Sequence, residues 1–523
     1  MNALAKNQHG SSRWWALGAL GFCLLVINLD MTVLNVALPT LARDMQATDS
    51  QLQWMVDAYT LVYASLVLLG GSMGDRFGRK RMLIIGLLVF GIGSLWSAFS
   101  GSANVLILAR GFMAVGGALI MPGTLSLVAN IFVGKERAQA IGITQGIMGI
   151  GIVIGPLIGG FLLEHFSWGV IFLINVPVML LAVPICFWLV PESKDPHASR
   201  IDLPGALSSI TGLCALLYGI IEAPTYGLGD SHILFTLGAA VILLTGFVVW
   251  ERHTTTPMLN LTIFRNPAIS AAIVALTLAS LGMTGGLFFL TQYLQLVLND
   301  TPMVAGLSFI PFVIGLLVTS VGLSPLLDRL IGTKFTVSAG LFLSAGSIAL
   351  LATLDMHTSS IAIAGMLALL GAGLGITMVP ATNAIMGTLP LNQAGVGSAA
   401  TDTAQEVGNA LGVAILGSIL AAAYQASMDA APAIRALPAP LRAIARDSLG
   451  RAVALASQMS SPGAQTLLNV ARSAFVAAIG PTVLIGAIIV GCGALVAIFF
   501  LPRRTSSQPG QTPTEAPKEI VLS

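Results

Sequence analysis

The sequence predicts an all-α polytopic membrane protein, and three observations support this fold class. Of its 523 residues, 55% are hydrophobic and only 9% are charged, with a mean hydropathy of +0.89. A soluble domain of this size needs far more charge on its surface. Apolar stretches of about 20 residues, the length that crosses a bilayer as a helix, recur from Trp14 almost to the C-terminus. Basic residues are concentrated between alternate stretches.

Cutting the chain at charged or Pro-, Gly- and Asn-rich breaks gives fourteen predicted spans. Of the 24 Lys and Arg residues, 17 fall on the side of the membrane that holds the N-terminus, six fall on the other side and Arg110 lies within a span. Because the number of spans is even, this asymmetry places both termini in the cytoplasm. The predicted spans are 14–38, 52–72, 82–100, 104–129, 138–163, 168–190, 203–222, 231–251, 268–297, 303–326, 334–354, 359–386, 396–424 and 473–501.

The fourteen spans divide into groups of six, two and six. Residues 14–190 form a predicted N-terminal six-helix bundle, 201–251 two inserted transmembrane helices, and 268–501 a C-terminal six-helix bundle. Two bundles around a midplane site are typical of transporters. The remaining pieces are a cytoplasmic N-terminal tail (1–13), a long extracytoplasmic loop with short amphipathic helices (425–471) and a cytoplasmic tail (502–523) whose Pro, Ser, Thr and Gln content predicts disorder.

Composition and motif content argue against several function classes. The net charge is only +2 and no basic block of the kind that binds nucleic acid occurs. No nucleophile-base pair or phosphate-binding loop indicates an enzyme, and no cofactor is expected. The four cysteines are interpreted as packing residues without metal-ligand spacing, so no metal site is expected: Cys23, Cys186, Cys214 and Cys492.

The most specific local signal lies in the predicted cytoplasmic turn between spans two and three. It reads Gly71-Ser-Met-Gly-Asp75-Arg76-Phe-Gly78-Arg79-Lys80-Arg81. Glycines permit a sharp turn and close helix approach, while Asp75 can pair with basic side chains or with a helix N-terminus. A charge lock of this kind holds one conformation shut and releases in another. We therefore predict a conformational-switch loop consisting of Gly71, Asp75, Arg76, Gly78 and Arg79.

Span five carries a second motif. Gly151, Gly155 and Gly159 recur every four residues and therefore line one helix face, where a neighbouring helix can approach closely. Pro156 removes one backbone hydrogen bond and is expected to bend the helix. Together with Gly160 these residues occupy the predicted outer half of the span, so we expect them to seal or open the outer side.

Three charged residues lie at comparable depth in the outer half of the N-terminal bundle: Asp30, Asp57 and Arg110. Ionisable groups in hydrocarbon are costly and usually mark a pathway. Asp30 and Arg110 are candidates for a pair, because opposite charges in a low-dielectric site offset each other's burial. Protonation of Asp30 would weaken that pair and bias the conformation; a static structural salt bridge is the alternative.

Asp402 and Glu406 lie four residues apart on span thirteen and therefore share one helix face. Two like acids in an apolar helix repel each other, so at least one is expected to hold a proton easily. We predict that both face the central cavity as cation or proton sites. Glu222, by contrast, ends span seven and is expected to be a solvated helix end.

The turn after span two resembles the signature loop of the major facilitator superfamily, and three further segments sharpen the resemblance. Leu29-Asp30-Met-Thr-Val-Leu-Asn35-Val-Ala-Leu-Pro39 is similar to the first-helix motif of the fourteen-span drug:proton antiporters. The glycine run of span five resembles their fifth-helix antiporter motif, and Phe172-Leu-Ile-Asn175-Val-Pro177 resembles the segment that follows it. Within that family the chain looks closest to exporters of quaternary ammonium compounds and methyl viologen.

The resemblance implies a major facilitator fold and a proton-coupled multidrug efflux transporter that exports lipophilic, cationic compounds by alternating access. It implies the proton motive force in place of a cofactor, and a multi-pass protein of the inner (plasma) membrane. The expected partners are small-molecule substrates, protons and membrane lipids; the chain is expected to be a monomer, with room for an adaptor protein in a double-membrane envelope. A dedicated exporter of one metabolite or antibiotic and a non-transporting membrane sensor remain the alternatives.

Overall fold

The computed structural model describes residues 10–45, 47, 49–132, 135–194, 202–227, 229–254, 261–389, 394–459 and 461–503. Over these residues the secondary structure is helical, without strands. This follows from the apolar composition, because a segment in hydrocarbon has to satisfy its backbone N–H and C=O groups internally. Predictions for residues 1–9, for the tail beyond Arg503 and for most of the two linkers flanking residues 202–254 lie outside the described residues.

The first six crossings are α1 (Gly10–Asp44), α2 (Asp49–Phe77), α3 (Arg79–Ala98), α4 (Ala103–Ile131), α5 (Lys135–His165) and a broken helix consisting of α6 (Val170–Leu173) and α7 (Asn175–Leu189). An antiparallel pair follows, α8 (Leu203–Tyr226) and α9 (Ser231–His253). The side chains of Asp202 and Asp230 cap these two helices by accepting hydrogen bonds from backbone N–H groups of the first turn, at 3.1 and 2.8 Å.

The second half contains α10 (Pro267–Gln292), α11 (Pro302–Leu307), α12 (Ile310–Val318), α13 (Ser324–Ile331), α14 (Thr333–Leu350), α15 (Ser360–Thr388), α16 (Ala394–Leu411), α17 (Gly417–Ala430) and α21 (Ser461–Phe500). Three short helices cover its outer end: α18 (Pro432–Arg435), α19 (Ala439–Asp447) and α20 (Leu449–Ala456). Within the described residues, π-helical turns occur only in this half, at Tyr293–Val297, Thr319–Leu323 and Gly412–Leu416.

Thirteen helices of the described chain are long and apolar enough to cross a membrane. The other predicted span corresponds to α5, a 31-residue helix that runs beside α1. The predicted loop 425–471 is shorter in the structure, because α17 continues to Ala430 and α21 already begins at Ser461. The extensions are helical because they bury apolar residues of their own, among them Met428 and Leu467.

Buried side chains form two large clusters. One extends from Leu17 to Val190 and also takes in Val379 and Met386 of α15, and the other extends from Ile269 to Leu501. The α8–α9 pair packs against α2, with Leu217 joining the first cluster. Each cluster holds one set of membrane helices together, and the seam between the two sets is where the candidate site lies.

Helices α2 and α13 each end with an Asp-Arg pair, Asp75-Arg76 and Asp328-Arg329, followed by a glycine whose φ is positive. Gly78 has φ 111° between α2 and α3, and Gly332 has φ 86° between α13 and α14. A residue with a Cβ adopts such angles only with strain. The two turns therefore have matching geometry in the two halves.

Candidate functional site

A buried ion pair joins α1 and α4. Asp30 and Arg110 are 2% and 1% exposed, and Arg110 Nη1 donates to Asp30 Oδ2. Arg110 Nε donates to the Met55 carbonyl at 3.1 Å, and Asn175 Nδ2 donates to Asp30 Oδ1 at 2.8 Å and to Ser94 Oγ at 3.0 Å. A buried pair needs such additional hydrogen bonds, and removing one partner typically costs about 3–5 kcal/mol.

Asp57 lies on a different face of α2 from the two residues of that helix that meet Arg110. Met55 and Tyr59, one helical turn apart on α2, are the residues that meet Arg110, and both are completely buried. Asp57 lies between them in sequence, about half a turn around the helix, and is half-buried on a different face. Counting residues along a span gives the depth of a residue in the membrane but not the helix face on which its side chain lies.

Two tyrosines of α2 extend the cluster toward the second half. The guanidinium carbon of Arg110 lies 4.8 Å from the ring centre of Tyr59, a cation–π arrangement. The ring of Tyr63 stacks on that of Tyr59, with centroids 6.1 Å apart. The Tyr59 hydroxyl is buried and has no hydrogen-bond partner among the described residues. Gly117 of α4 makes room for both rings, since a Cβ there would lie 3.2 Å from Tyr59 Cζ.

The second acid site lies on α16, where Asp402 and Glu406 share a face. Asp402 is 8% exposed, and within the described part of the chain its Oδ2 atom has no hydrogen-bond partner. Glu406 is half-buried and hydrogen bonds to Asn409, which in turn accepts a hydrogen bond of 2.6 Å from Thr284 of α10. An unpartnered buried carboxyl is unfavourable unless it holds a proton or a cation.

The two tyrosines lie near both acid sites. Tyr63 lies within electrostatic reach of both Asp402 and Glu406, and Tyr59 within reach of Asp30, Arg110 and Glu406. Charged groups of both halves therefore lie near the same two tyrosines, where α2 packs against α16. Sequence reasoning identified the charges but not this connection; the only sequence signal is that Tyr59 and Tyr63 share a face of α2, four residues apart.

The predicted switch loop contacts the other half. Asp75 Oδ1 accepts hydrogen bonds from Gly395 N at 3.0 Å and from Arg79 Nη2 at 2.6 Å, and Asp75 Oδ2 accepts one from Val396 N at 3.1 Å. Gly395 and Val396 are in the first turn of α16, where the helix dipole favours an anion. Gly71 permits this approach, because a Cβ there would lie 2.5 Å from the Gly395 carbonyl oxygen.

The remainder of this loop is held within the first half. Arg79 is 1% exposed; its backbone N–H donates to Ser193 O and its Nη1 to Ser193 Oγ, both at 2.8 Å. Glu192 Oε1 accepts a hydrogen bond from Lys80 N at 3.1 Å. Arg76 is half-buried, with its guanidinium 5.3 Å from the ring of Phe77. Sequence reasoning missed the contribution of residues 192 and 193, which carry no motif of their own.

Two further contacts close the cytoplasmic side of the seam. Arg137 Nη1, near the start of α5, donates to the Met386 carbonyl at 3.3 Å. Ser320 Oγ, in a π-helical turn of the second half, donates to the Gly142 carbonyl of α5 at 3.2 Å. Together with Asp75 they join the halves at their basic, cytoplasmic ends.

The glycine motif of α5 faces α1 of the same half. Cβ atoms at 151, 155 and 159 would lie 2.9 Å from Asn28 Cβ, 2.6 Å from Thr32 Cβ and 3.1 Å from Val33 Cγ1, and Thr32 Oγ1 donates to the Gly151 carbonyl at 3.0 Å. The motif is therefore a close contact within one bundle, while Ile150 and Leu157 of the same helix pack against the buried cluster of the second half. Gly160 has no such neighbour, and the side chain of Pro156 lies outside the described residues.

Comparison with known proteins identifies the family. A family model described as the Major Facilitator Superfamily matches residues 20–413. The multidrug efflux pump LfrA of Mycolicibacterium smegmatis is 35% identical over 92% of this chain and 95% of that protein. The methyl viologen resistance protein SmvA of Salmonella typhimurium is 34% identical over 89% of this chain and 93% of that protein.

A solved structure supports the same assignment at the level of fold. The proton:xylose symporter XylE, bound to 6-bromo-6-deoxy-D-glucose, shares 14% identity and aligns with a TM-score of 0.61 over 95% of this chain and 98% of its own. At that identity the likeness concerns the fold alone. With the family model, the two relatives and the helical architecture in agreement, this chain belongs to the Major Facilitator Superfamily.

Proposed function

We propose that this chain is a drug:proton antiporter that exports lipophilic cations by alternating access of its two halves. One observation carries the proposal: buried acids occur on both sides of the seam, Asp30 with Arg110 and Asp402 with Glu406, and two stacked tyrosines of α2 lie near both. The names of two relatives, one a multidrug efflux pump and one a methyl viologen resistance protein, support cationic drugs as substrates.

Each acid site has its own part in the proposed cycle. The unpartnered carboxyl of Asp402, with Glu406 one turn away, attracts either a cation or a proton, so the two compete for one place. A proton that reaches Asp30 from outside weakens its attraction to Arg110 and releases a contact between α1 and α4. Proton binding thereby favours release of the cation to the outside.

The proposed energy source is the proton motive force, with no cofactor. Each charge that crosses the membrane field is worth about 2.3 kcal/mol per 100 mV. Exchange of more protons than substrate charges would therefore be driven outward by the voltage as well as by the pH gradient. The proposal takes the chain to act as a monomer, joined by an adaptor protein only where a second membrane has to be crossed.

The proposal also assigns a part to the switch loop. The carboxylate of Asp75, bound to the first turn of α16, holds the cytoplasmic side shut together with Arg137 and Ser320. Loading of substrate from the cytoplasm requires these contacts to break, and loss of Asp75 should favour the state open to the cytoplasm.

Ethidium transport into everted membrane vesicles, energised by a pH gradient, tests the coupling. We expect Asp30→Asn and Glu406→Gln each to lower the rate at least tenfold, because each removes a titratable carboxyl from one of the two acid sites. Glu164→Gln is a matched control, since Glu164 is exposed at the outer end of α5. Undiminished transport in both Asp30→Asn and Glu406→Gln would refute the assignment.

Two measurements separate the alternatives. Resistance profiles against unrelated cations distinguish a multidrug exporter from a dedicated one, since the latter protects against a single scaffold. Substrate-dependent proton release from the purified protein distinguishes an antiporter from a membrane sensor, which binds ligand without exchanging protons.

A further inference from the structure

The inserted helix α8 carries a polar and aromatic strip that the transport path does not use. Tyr218, Glu222 and Tyr226 follow one another at intervals of four residues and therefore lie on one face. One turn before Tyr218 on the same face, Cys214 Sγ donates to Ser65 Oγ of α2 at 3.0 Å; on the adjacent face, a Cβ at Gly219 would lie 2.9 Å from Leu237 Cγ of α9. The strip thus faces the junction between α2 and α9, which we call the crevice.

Aromatic rings from three helices line this crevice near its outer end. Trp54 of α2 stacks on Tyr218, with ring centroids 5.7 Å apart and planes at 29°. His232, at the start of α9, meets Tyr218 edge to face at 5.6 Å and Tyr226 at 6.3 Å. Four rings therefore follow one another from α2 across α8 to α9.

Glu222 lies within this ring set and is only 7% exposed. The expectation of a solvated helix end was therefore wrong: α8 continues to Tyr226 and packs beside α2 and α9. No hydrogen bond or ion pair of Glu222 occurs among the residues that the structure describes. Tyr218, one turn earlier, is its neighbour on the same face of α8.

An interfacial aromatic belt accounts for the tryptophan and the tyrosines but not for the acid. Trp and Tyr are enriched at the membrane surface because they have an apolar body and a polar tip. A carboxylate buried beside electron-rich ring faces is unfavourable by itself, and a cation in the crevice would offset that. Carboxylate and ring faces together are the groups that recognise quaternary or delocalised organic cations.

The location of α8 connects the crevice to the transport path. Besides α2, this helix contacts α16 and the π-helical turn Gly412–Leu416 of the second half. The outer part of α8 therefore lies beside this turn, which follows Asp402 and Glu406 toward the outer end of the second half. A cation that leaves the central site outward along α2 passes next to it.

We propose that Glu222, together with the rings of Trp54, Tyr218, Tyr226 and His232, forms a second binding site for organic cations at the outer mouth of the seam. The inference rests on the proposed export of cations and extends it: the inserted pair α8–α9 holds a cation after the central acids have released it. Its ligands are lipophilic cations of quaternary or delocalised charge, not simple metal ions.

Binding of tetraphenylphosphonium to the purified protein in nanodiscs, measured by titration calorimetry, tests the second site. Wild type should bind two equivalents. The double variant Asp402→Asn/Glu406→Gln should retain one, and Glu222→Gln added to it should weaken that remaining binding at least tenfold. Tyr218→Leu should weaken it likewise while Tyr218→Phe retains it, because only the latter keeps the ring. Glu164→Gln is the charge-matched control and should have no effect.

The second site would be overturned if the double variant bound no tetraphenylphosphonium. It would also be overturned if neither Glu222→Gln nor Tyr218→Leu weakened the binding that the double variant retains. Failure of the proposed function looks different: wild type would then neither transport ethidium nor bind the cation at all. Monodisperse elution and an unchanged melting temperature of each variant separate loss of the site from loss of the fold.

Discussion

At the scale of single residues, depth along a span could be predicted and direction could not. Counting residues from the membrane surface brought Asp30, Asp57 and Arg110 to one level, and the structure pairs Asp30 with Arg110 while Asp57 lies on another face of its helix. A helix that is apolar on all sides gives no amphipathic signal to orient a side chain. The same lack of signal concealed the burial of Glu222.

Tyr59 provides a residue-scale prediction, because its buried hydroxyl has no partner among the described residues. Tyr59→Phe keeps the ring over Arg110 and removes an unsatisfied polar group, so thermal stability should stay equal or rise by up to about 1 kcal/mol. If that hydroxyl is used when protons or substrate pass between the acid sites, ethidium transport should fall at least fivefold. Melting curves and vesicle transport measure the two effects.

Tyr293→Phe is the opposite control. The Tyr293 hydroxyl donates to the Asp355 carbonyl at 2.6 Å, at the outer end of the second half. Its loss should lower stability by about 1 kcal/mol and leave transport unchanged. A Tyr59→Phe protein that transports at the wild-type rate would exclude the hydroxyl from the path.

At the scale of helices, α16 connects the switch loop to the acids. In its first turn, Gly395 N donates a hydrogen bond to the Asp75 carboxylate. Asp402 follows seven residues after Gly395, about 10 Å along the same helix. A displacement of the first turn therefore moves Asp402 relative to Tyr63. In the proposed cycle, release of the Asp75 contact and a change at Asp402 would therefore be one movement of one helix.

Gly71→Ala tests the helix contact that this coupling requires. A Cβ at Gly71 would lie 2.5 Å from the Gly395 carbonyl oxygen and 2.7 Å from Ala399 Cβ, so α2 and α16 have to separate. We expect the state closed to the cytoplasm to lose about 1–3 kcal/mol. Distances between spin labels at the cytoplasmic ends of α2 and α16 should lengthen accordingly.

Gly74→Ala is the matched control, one turn further along the same helix. The nearest neighbour of its Cβ would be Arg79 Cγ at 3.8 Å, an ordinary contact. Both variants gain the same helix propensity over glycine. Equal label distances in Gly71→Ala and Gly74→Ala would contradict the role of close packing.

Helix existence could be predicted from the sequence, whereas helix ends and irregular turns could not. The spans were located because hydrocarbon requires about 20 apolar residues. The outer extensions of α17 and α21 pack on α18, α19 and α20 and not on lipid, so hydropathy does not mark them. A π-helical turn adds one residue to a helix without a compositional signal, and the three in the second half were not predicted.

At the scale of the whole molecule, the halves pack on each other along α5 and α16, and a few polar contacts join them at the cytoplasmic side. Asp75, Arg137 and Ser320 all bond to backbone groups across the seam. A backbone group can accept or donate such a hydrogen bond whatever its side chain, so these contacts require no particular residue in the opposite half. For that reason the family resemblance indicated two bundles without showing how they meet.

A reversible crosslink across this seam tests whether the halves have to separate. Arg137→Cys and Gly387→Cys place thiols on α5 and α15, next to the Arg137–Met386 contact, and a Cβ at Gly387 meets nothing within 4 Å. With the four native cysteines replaced, a short disulfide-containing crosslinker should stop ethidium transport, and reduction should restore it.

Arg13→Cys with Glu136→Cys is the control pair. Those side chains form a 3.0 Å ion pair between α1 and α5, within the first half. Their crosslink should leave transport intact, because the two helices move as one body. Continued transport by a fully crosslinked Arg137→Cys/Gly387→Cys protein would rule out separation at this seam.

The lock on α16 has a consequence for how this protein can change over generations. The Asp75 carboxylate accepts hydrogen bonds from backbone N–H groups of α16. Any residue except proline would supply such a group at position 396. Drift in the first turn of α16 therefore leaves the lock intact, while any side chain at Gly71 or Gly395 meets backbone or carboxylate atoms. At these positions the structure therefore constrains side-chain volume more than side-chain chemistry.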